Sequence, residues 1–306
     1  MKRNVLIALV LSILMLFTAC QSTSNTELPD TDRAGYAIEL PQKVETIVSL
    51  APSTSQVIES LGLKDKLIAV DSQTPFYLEG VDQLPQFDLM SPDLEALAAL
   101  NPDLIFTTGM SSLDGDDIFS QLKDLGISIA TIPSSESLED IQLDIQFIAD
   151  ALGLSEKGEE ISAQMQKDID VIADMAKEIK EPKTVLFEIA ALPDIYSFGS
   201  STFLNELLEI VGAENIFADQ TSWLAVTEEA AISANPDVIL TNVNYIEDSV
   251  GEILSRNGWE EVTAIKEESV YYIDNGFSSL PNQNVVKALK EMALAIYPEV
   301  YASLED

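Results

Sequence analysis

One phrase occurs twice in this 306-residue chain, and it constrains the fold more than any other feature. "NPDLIF" fills residues 101–106 and "NPDVIL" fills residues 235–240. In both, Asn-Pro starts a turn, because proline biases the residue before it away from the helix. The short apolar, partly β-branched run that follows reads as a buried strand. What precedes also matches: "LEALAAL" (94–100) and "EEAAISA" (228–234) read as short helices. The repeated unit is therefore helix, Asn-Pro-Asp turn, strand. Such joints are common in α/β proteins, so coincidence competes with a second account, two similar lobes.

The rest of the chain favours two lobes. "VETIVSL", "KLIAVD", "DLIFTTG" and "ISIATIP" read as strands alternating with helices, the last of which, 137–153, is capped by Ser137 and closed by Gly153. In 155–180, Ile161, Met165, Ile169, Ile172, Met175 and Ile179 recur every three or four residues, and Pro182 stops the pattern. About 25 residues at 1.5 Å each predict a rod of roughly 38 Å. After it the strand–helix alternation restarts, and one copy of the repeat falls on each side. The expected fold is α/β: two Rossmann-like lobes with mainly parallel sheets, joined by one long rigid helix. The expected boundaries are a signal peptide at 1–19, a tether at 20–36, an N-terminal lobe at 37–153, a connecting helix at 154–182 and a C-terminal lobe at 183–306.

Composition removes whole classes of function. Sixteen Lys and Arg against 52 Asp and Glu leave a net charge of −36, a field that repels phosphate backbones and excludes nucleic acid as a partner. There is no histidine, so triads, histidine bases and histidine metal ligands are absent. The single cysteine, Cys20, allows no disulfide and no thiol pair. It ends a leader with Lys2 and Arg3 in front, an apolar run from Val5 to Phe17, then Thr18 and Ala19. That is a secretory signal, and the cysteine at its boundary resembles a bacterial lipobox, with Phe17 where leucine is typical. Lipid on Cys20 would hold the mature protein to the extracytoplasmic face of the membrane.

The order of motifs resembles one family, the periplasmic binding proteins for vitamin B12, ferric siderophores and haem. Asp32, Gly35 and Pro41 match its leading hairpin, and residues 47–52 (IVSLAP) its first strand and turn. "PDLEALAALNPDLIF", "FLNELLEIVGAENIF" and "AIYPE" match later units, so the resemblance covers about residues 31–306. It implies a non-enzymatic, monomeric binding protein that captures a metal chelate between two lobes and docks on the permease of an ABC importer. It also implies one acidic docking residue per lobe. In the C-terminal lobe this is Glu214; the N-terminal position holds Gln56, with Glu59 one turn on as a substitute.

In open α/β sheets ligands sit beyond the carboxyl ends of strands, and in two-lobed proteins between the lobes. That rule selects Ser53, Thr54, Thr74, Phe76, Tyr77, Met90 and Met110 in the first lobe. In the second it selects Tyr196, Trp223, Asn244, Tyr245 and Phe277, with Asp88 and Glu188 as nearby carboxylates. Aromatic side chains on such loops suit a large flat or amphipathic ligand. Trp259, which follows a helix end, is expected in the core. The candidate loops lack Arg and Lys, and Leu280 stands where relatives often carry Arg, so a strongly anionic chelate is disfavoured. A corrinoid or a neutral or cationic ferric complex fits better, and the ligand is expected to contain iron or cobalt. No intrinsic cofactor is expected. Haem held by Met90, Met110, Tyr196 or Tyr245 stays open. So do two other classes: a sensor or adhesin on the same fold, and an extracellular hydrolase using paired carboxylates such as Asp88 and Glu188.

Overall fold

The computed structural model describes residues 28–112 and 118–304. The signal, Cys20 and the start of the tether therefore lie outside the described residues.

In the N-terminal lobe, β1 (Ile47–Ser49) runs into α1 (Pro52–Ser60), whose first-turn proline lacks only an N–H that would find no partner there. Then come β2 (Leu67–Asp71), β3 (Gln86–Phe87), α2 (Leu94–Leu100) and β4 (Leu104–Thr108). After them follow α3 (Ser120–Asp124), β5 (Ser128–Ile132) and α4 (Leu138–Ala151). The five strands form a parallel sheet in the order β3-β2-β1-β4-β5. The order reverses between β1 and β4, which places the topological switch point at the carboxyl ends of those two strands.

The connecting helix α5 (Ser155–Ala176) has 22 residues, so it spans about 33 Å. It ends one turn before the expected limit, in a turn at Lys177 ahead of Pro182. Met165, Ile169 and Ile172 face inward. The helix packs on α4 along one side and on C-terminal helices along the other.

The C-terminal lobe starts with β6 (Thr184–Glu188), β7 (Ile195–Phe198), α6 (Phe203–Ile210), β8 (Glu214–Asn215) and β9 (Trp223–Val226). It continues through α7 (Glu228–Ala234), β10 (Val238–Thr241), α8 (Ser249–Leu254), α9 (Thr263–Lys266) and β11 (Val270–Tyr272). It closes with α10 (Asn275–Ser279), α11 (Val285–Ile296) and α12 (Pro298–Tyr301). Its parallel sheet has the order β11-β10-β6-β8, and β7 and β9 make a separate antiparallel ribbon. One apolar cluster runs unbroken from Ile58 and Ile145 through Met165 and Ile169 to Leu207 and Met292, so the two lobes share a core across α5.

The repeated phrase is a structural joint made twice. Asp93 and Thr227 cap the seven-residue helices α2 and α7 by accepting the N–H of Ala96 (3.0 Å) and Ala230 (3.2 Å). Asn101 and Asn235 end them in the left-handed region, at φ 47° and 48°. Asparagine tolerates this region better than most residues. The next acidic residue then pins the neighbouring strand. Asp103 accepts from the N–H of Glu45 (2.8 Å) and Thr46 (2.9 Å) and from the Thr46 hydroxyl (3.0 Å). Asp237 accepts from the N–H of Thr184 (2.9 Å) and its hydroxyl (2.8 Å).

Candidate functional site

A cavity of about 350 Å³ lies where the lobes meet. The N-terminal lobe supplies the larger share of its wall. Ala51, Pro52, Ser53, Thr54 and Val57 come from the turn after β1 and from α1. Thr108 ends β4 and Met110 follows it, and Pro133, Ser134 and Ser135 follow β5. This is the switch point of the first sheet, where diverging connections leave a crevice. Helix α4 adds Asp144, Ile145 and Ile148. From the other lobe come Phe203, Trp223 and the turn Ser279–Leu280–Pro281.

The second lobe contributes less because its own switch point is filled. Glu188, at the end of β6, is fully buried and receives both ends of the Arg256 guanidinium, at 2.7 and 2.8 Å. Glu252 adds a second carboxylate at 2.6 Å, and the guanidinium lies 5.1 Å from the Trp259 ring centre. The two carboxylates hold the Arg256 guanidinium charged, shifting it upward against its burial. Glu188 is thus sealed away from the cavity. Asp88 turns its carboxylate back onto the N–H groups of Met90 (2.7 Å) and Ser91 (3.3 Å). The carboxylate pair that a hydrolase would need is not assembled from these residues. Trp259 lies in the core, as its sequence position suggested.

The structure divides the expected ligand contacts. Ser53, Thr54, Met110 and Trp223 line the cavity. Trp223 is held edge-on by Phe198 (6.0 Å) and Phe203 (6.4 Å) and stays 49% exposed. Tyr196 does not line the cavity, but it lies on the same face of the β7–β9 ribbon as Trp223, two cross-strand pairs along, and is likewise exposed. Thr74 is fully buried and does not line the cavity. Tyr77 is spent on a lobe-to-lobe bond, its hydroxyl donating to Asn275 Oδ1 at 2.9 Å. Phe277 packs against the core beneath Lys287, 4.8 Å from its ring. Phe76, Met90, Asn244 and Tyr245 are exposed and not on the cavity wall. The Tyr245 hydroxyl accepts the Ala191 N–H at 2.9 Å. The sequence reading did not reach Ser135, Asp144, Ile145 and Ile148, because three of them stand mid-helix rather than on a strand-end loop. Apolar periodicity near Asp144 was the only available signal.

Of the three docking positions, Gln56 is a correction. Its side chain turns toward the other lobe, donating to Tyr77 O (2.7 Å) and accepting from Asn282 Nδ2 (2.7 Å) and Asn284 Nδ2 (3.3 Å). Ser60, one turn on, accepts from Gln283 Nε2 at 2.7 Å. The cause is helical spacing: residues 56 and 60 share a stripe that faces the C-terminal lobe. Glu59 is exposed and 3.0 Å from Lys64, and Glu214 is exposed on β8.

A parallel sheet in each lobe, a single connecting helix and a cavity at the seam define a known arrangement, and the sequence matches the family described as periplasmic binding protein over residues 47–276. The chain belongs to the periplasmic binding protein family. Among relatives of this periplasmic binding protein is an uncharacterized ABC transporter substrate-binding lipoprotein, YvrC of Bacillus subtilis. It is 31% identical over 285 residues, with 92% of this chain and 90% of YvrC covered. A cobalamin-binding protein of Halobacterium salinarum is 24% identical over 277 residues, covering 88% of this chain and 73% of that one. Among solved structures, a possible iron-binding periplasmic solute-binding protein of Staphylococcus epidermidis superposes with a TM-score of 0.73 at 26% identity. That match covers 84% of this chain and all of the other. The protein is a substrate-binding component of the ABC importer type, and its relatives are binding proteins that work outside the cytoplasmic membrane. Among the described residues no helix is long and apolar enough to cross a membrane.

Proposed function

We propose that this periplasmic binding protein is held to the extracytoplasmic face of the membrane by lipid on Cys20. It takes a metal chelate, a ferric siderophore-type complex or a corrinoid, into the inter-lobe cavity and delivers it to an ABC importer permease without chemical change. The observation that carries the reading is the character of the cavity wall. It is hydrocarbon and hydroxyl with two aromatic side chains, Phe203 and Trp223, and one acidic residue, Asp144, and among the described residues no Lys or Arg lines it. An anionic ligand would find no counter-charge there, whereas a neutral or cationic complex needs none. About 350 Å³ stands near the lower end of ligand pockets, roughly 300–1,000 Å³. A chelate would place one edge in the cavity and spread its remainder over the Trp223–Tyr196 face.

The test is a titration of the protein with cyanocobalamin, haem and a panel of ferric siderophores, following tryptophan fluorescence. Trp259 is buried, so the signal should come from Trp223 and disappear in Trp223→Phe. Tight binding of a sugar or peptide with no response to any chelate would overturn the reading. As part of the same proposal, Glu214 and Glu59, exposed one on each lobe, act as permease contacts. Glu214→Ala should leave binding intact and lower uptake in cells; unchanged uptake would remove Glu214 from that role.

A further inference from the structure

Among the described residues the cavity wall carries one ionisable side chain, and it is buried. Asp144 on α4 is 4% exposed, yet it lines the cavity. Arg33 Nε donates to its Oδ1 at 2.6 Å, and Ser135 Oγ donates to its Oδ2 at 2.9 Å. Arg33 also lies 3.6 Å from Asp140 and does not line the cavity. It belongs to the leading hairpin, which Asp32 fastens by accepting the N–H groups of Ala34 (3.0 Å), Tyr36 (2.8 Å) and Thr131 (2.9 Å). The guanidinium therefore reaches the carboxylate from a rigid mount outside the cavity. An ionised carboxylate has about four acceptor positions, and two donors occupy two of them. A tie between hairpin and helix needs no carboxylate at the cavity wall, and burial there pushes the Asp144 carboxyl up, against the pull of Arg33 and Ser135.

We propose that Asp144, backed by Arg33 and supported by Ser135, is a specificity-determining acceptor that receives a hydrogen-bond-donating group of the ligand, an amide N–H or an ammonium. The inference rests on the proposed role of the cavity and narrows its ligand. A corrinoid rimmed with primary carboxamides, or a hydroxamate chelate bearing a free ammonium, presents such a donor. A chelate whose rim carries carboxylates brings acceptors, not donors, against the Asp144 acceptor and is rejected. The Arg33 charge makes the pair neutral overall, while Asp144 is its member at the cavity wall, so selection acts through direction as well as charge.

The experiment uses four proteins, the unmodified chain, Asp144→Asn, Ser135→Ala and Arg33→Gln, each titrated with cyanocobalamin, ferrioxamine B, haem and ferric citrate. Urea unfolding of each provides the stability control. The expected result is binding of cyanocobalamin or ferrioxamine B. Asp144→Asn should weaken that binding on the order of 10- to 100-fold, the range for a hydrogen bond to a charged group. Ser135→Ala should weaken it less, and Arg33→Gln should lower stability more than affinity. If Asp144→Asn and Arg33→Gln lower stability alike and leave affinity unchanged, Asp144 is only a structural tie and the proposal fails, while the role of the cavity stands. Preference for haem or ferric citrate over the other two probes overturns the donor-bearing class. Binding of none of the four overturns both the proposal and the chelate reading beneath it.

Discussion

The two aspartates of the repeated phrase hold the strands they precede through the first residues of their neighbours. Asp103→Ala removes the acceptor for two backbone N–H groups and one hydroxyl, and should cost about 1–3 kcal/mol in urea unfolding. Asp237→Ala, with one N–H and one hydroxyl, should cost less. The Asp103 carboxyl is held below its ordinary range, first by the Glu45 N–H and then by Thr46. A depressed carboxyl stabilises the fold above its unfolded value, here near 3.8, and loses that contribution as pH falls through the lower folded value. The stability gap between the protein and Asp103→Asn should therefore be full at pH 6 and shrink below about pH 4. A gap that widens on acidification would show that the carboxylate is not what Asn lacks. Neither aspartate touches the cavity, and the shared bond to the threonine N–H and hydroxyl at the start of the neighbouring strand fits a purely architectural role.

At the scale of elements, the crossing of α4 and α5 depends on Gly158. A Cβ there would stand 2.6 Å from the Ala149 Cβ and 3.0 Å from the Gln146 amide oxygen. Alanine is the better helix former by about 1 kcal/mol, but the overlap should outweigh it. Gly158→Ala should destabilise by about 1–3 kcal/mol, and an increase in the urea midpoint would show that the helices separate freely. This crossing also shows how far the sequence could be read. The periodicity of 155–180 exposed the long helix, and continuous apolar, partly β-branched runs exposed the principal strands of both parallel sheets, which are buried on both faces. The two-residue strands β3 and β8 are too short for any period. The β7–β9 ribbon is half exposed, so its alternation is weak. The cavity was legible where it follows the strand-end rule, at Ser53, Thr54 and Met110. It was hidden where helix α4 supplies the wall. The inward turn of Gln56 was also hidden, because its partners Asn282 and Asn284 lie far off in the chain and no local pattern links them.

For the molecule as a whole, polar bonds close the seam where the lobes meet. Besides the Gln56 cluster and the Tyr77–Asn275 bond, the Glu206 carboxylate of α6 accepts the Leu138 N–H at 2.8 Å, capping α4 from the other lobe. Gln56→Ala should strand the buried Asn282 amide, cost about 1–3 kcal/mol and enlarge the radius of gyration in solution scattering. An unchanged radius would mean that the shared core alone fixes the lobes. That core, continuous through Met165 and Ile169, has a thermodynamic consequence. Chains of this length with two lobes commonly unfold in separate steps. Here neither half can lose its interior without exposing the other's, so calorimetry should record one transition, with equal van't Hoff and calorimetric enthalpies. A cargo seated at the seam would raise that single melting temperature as its concentration exceeds its dissociation constant. Both halves would thus be protected together while loaded and would soften together once the cargo has been handed on.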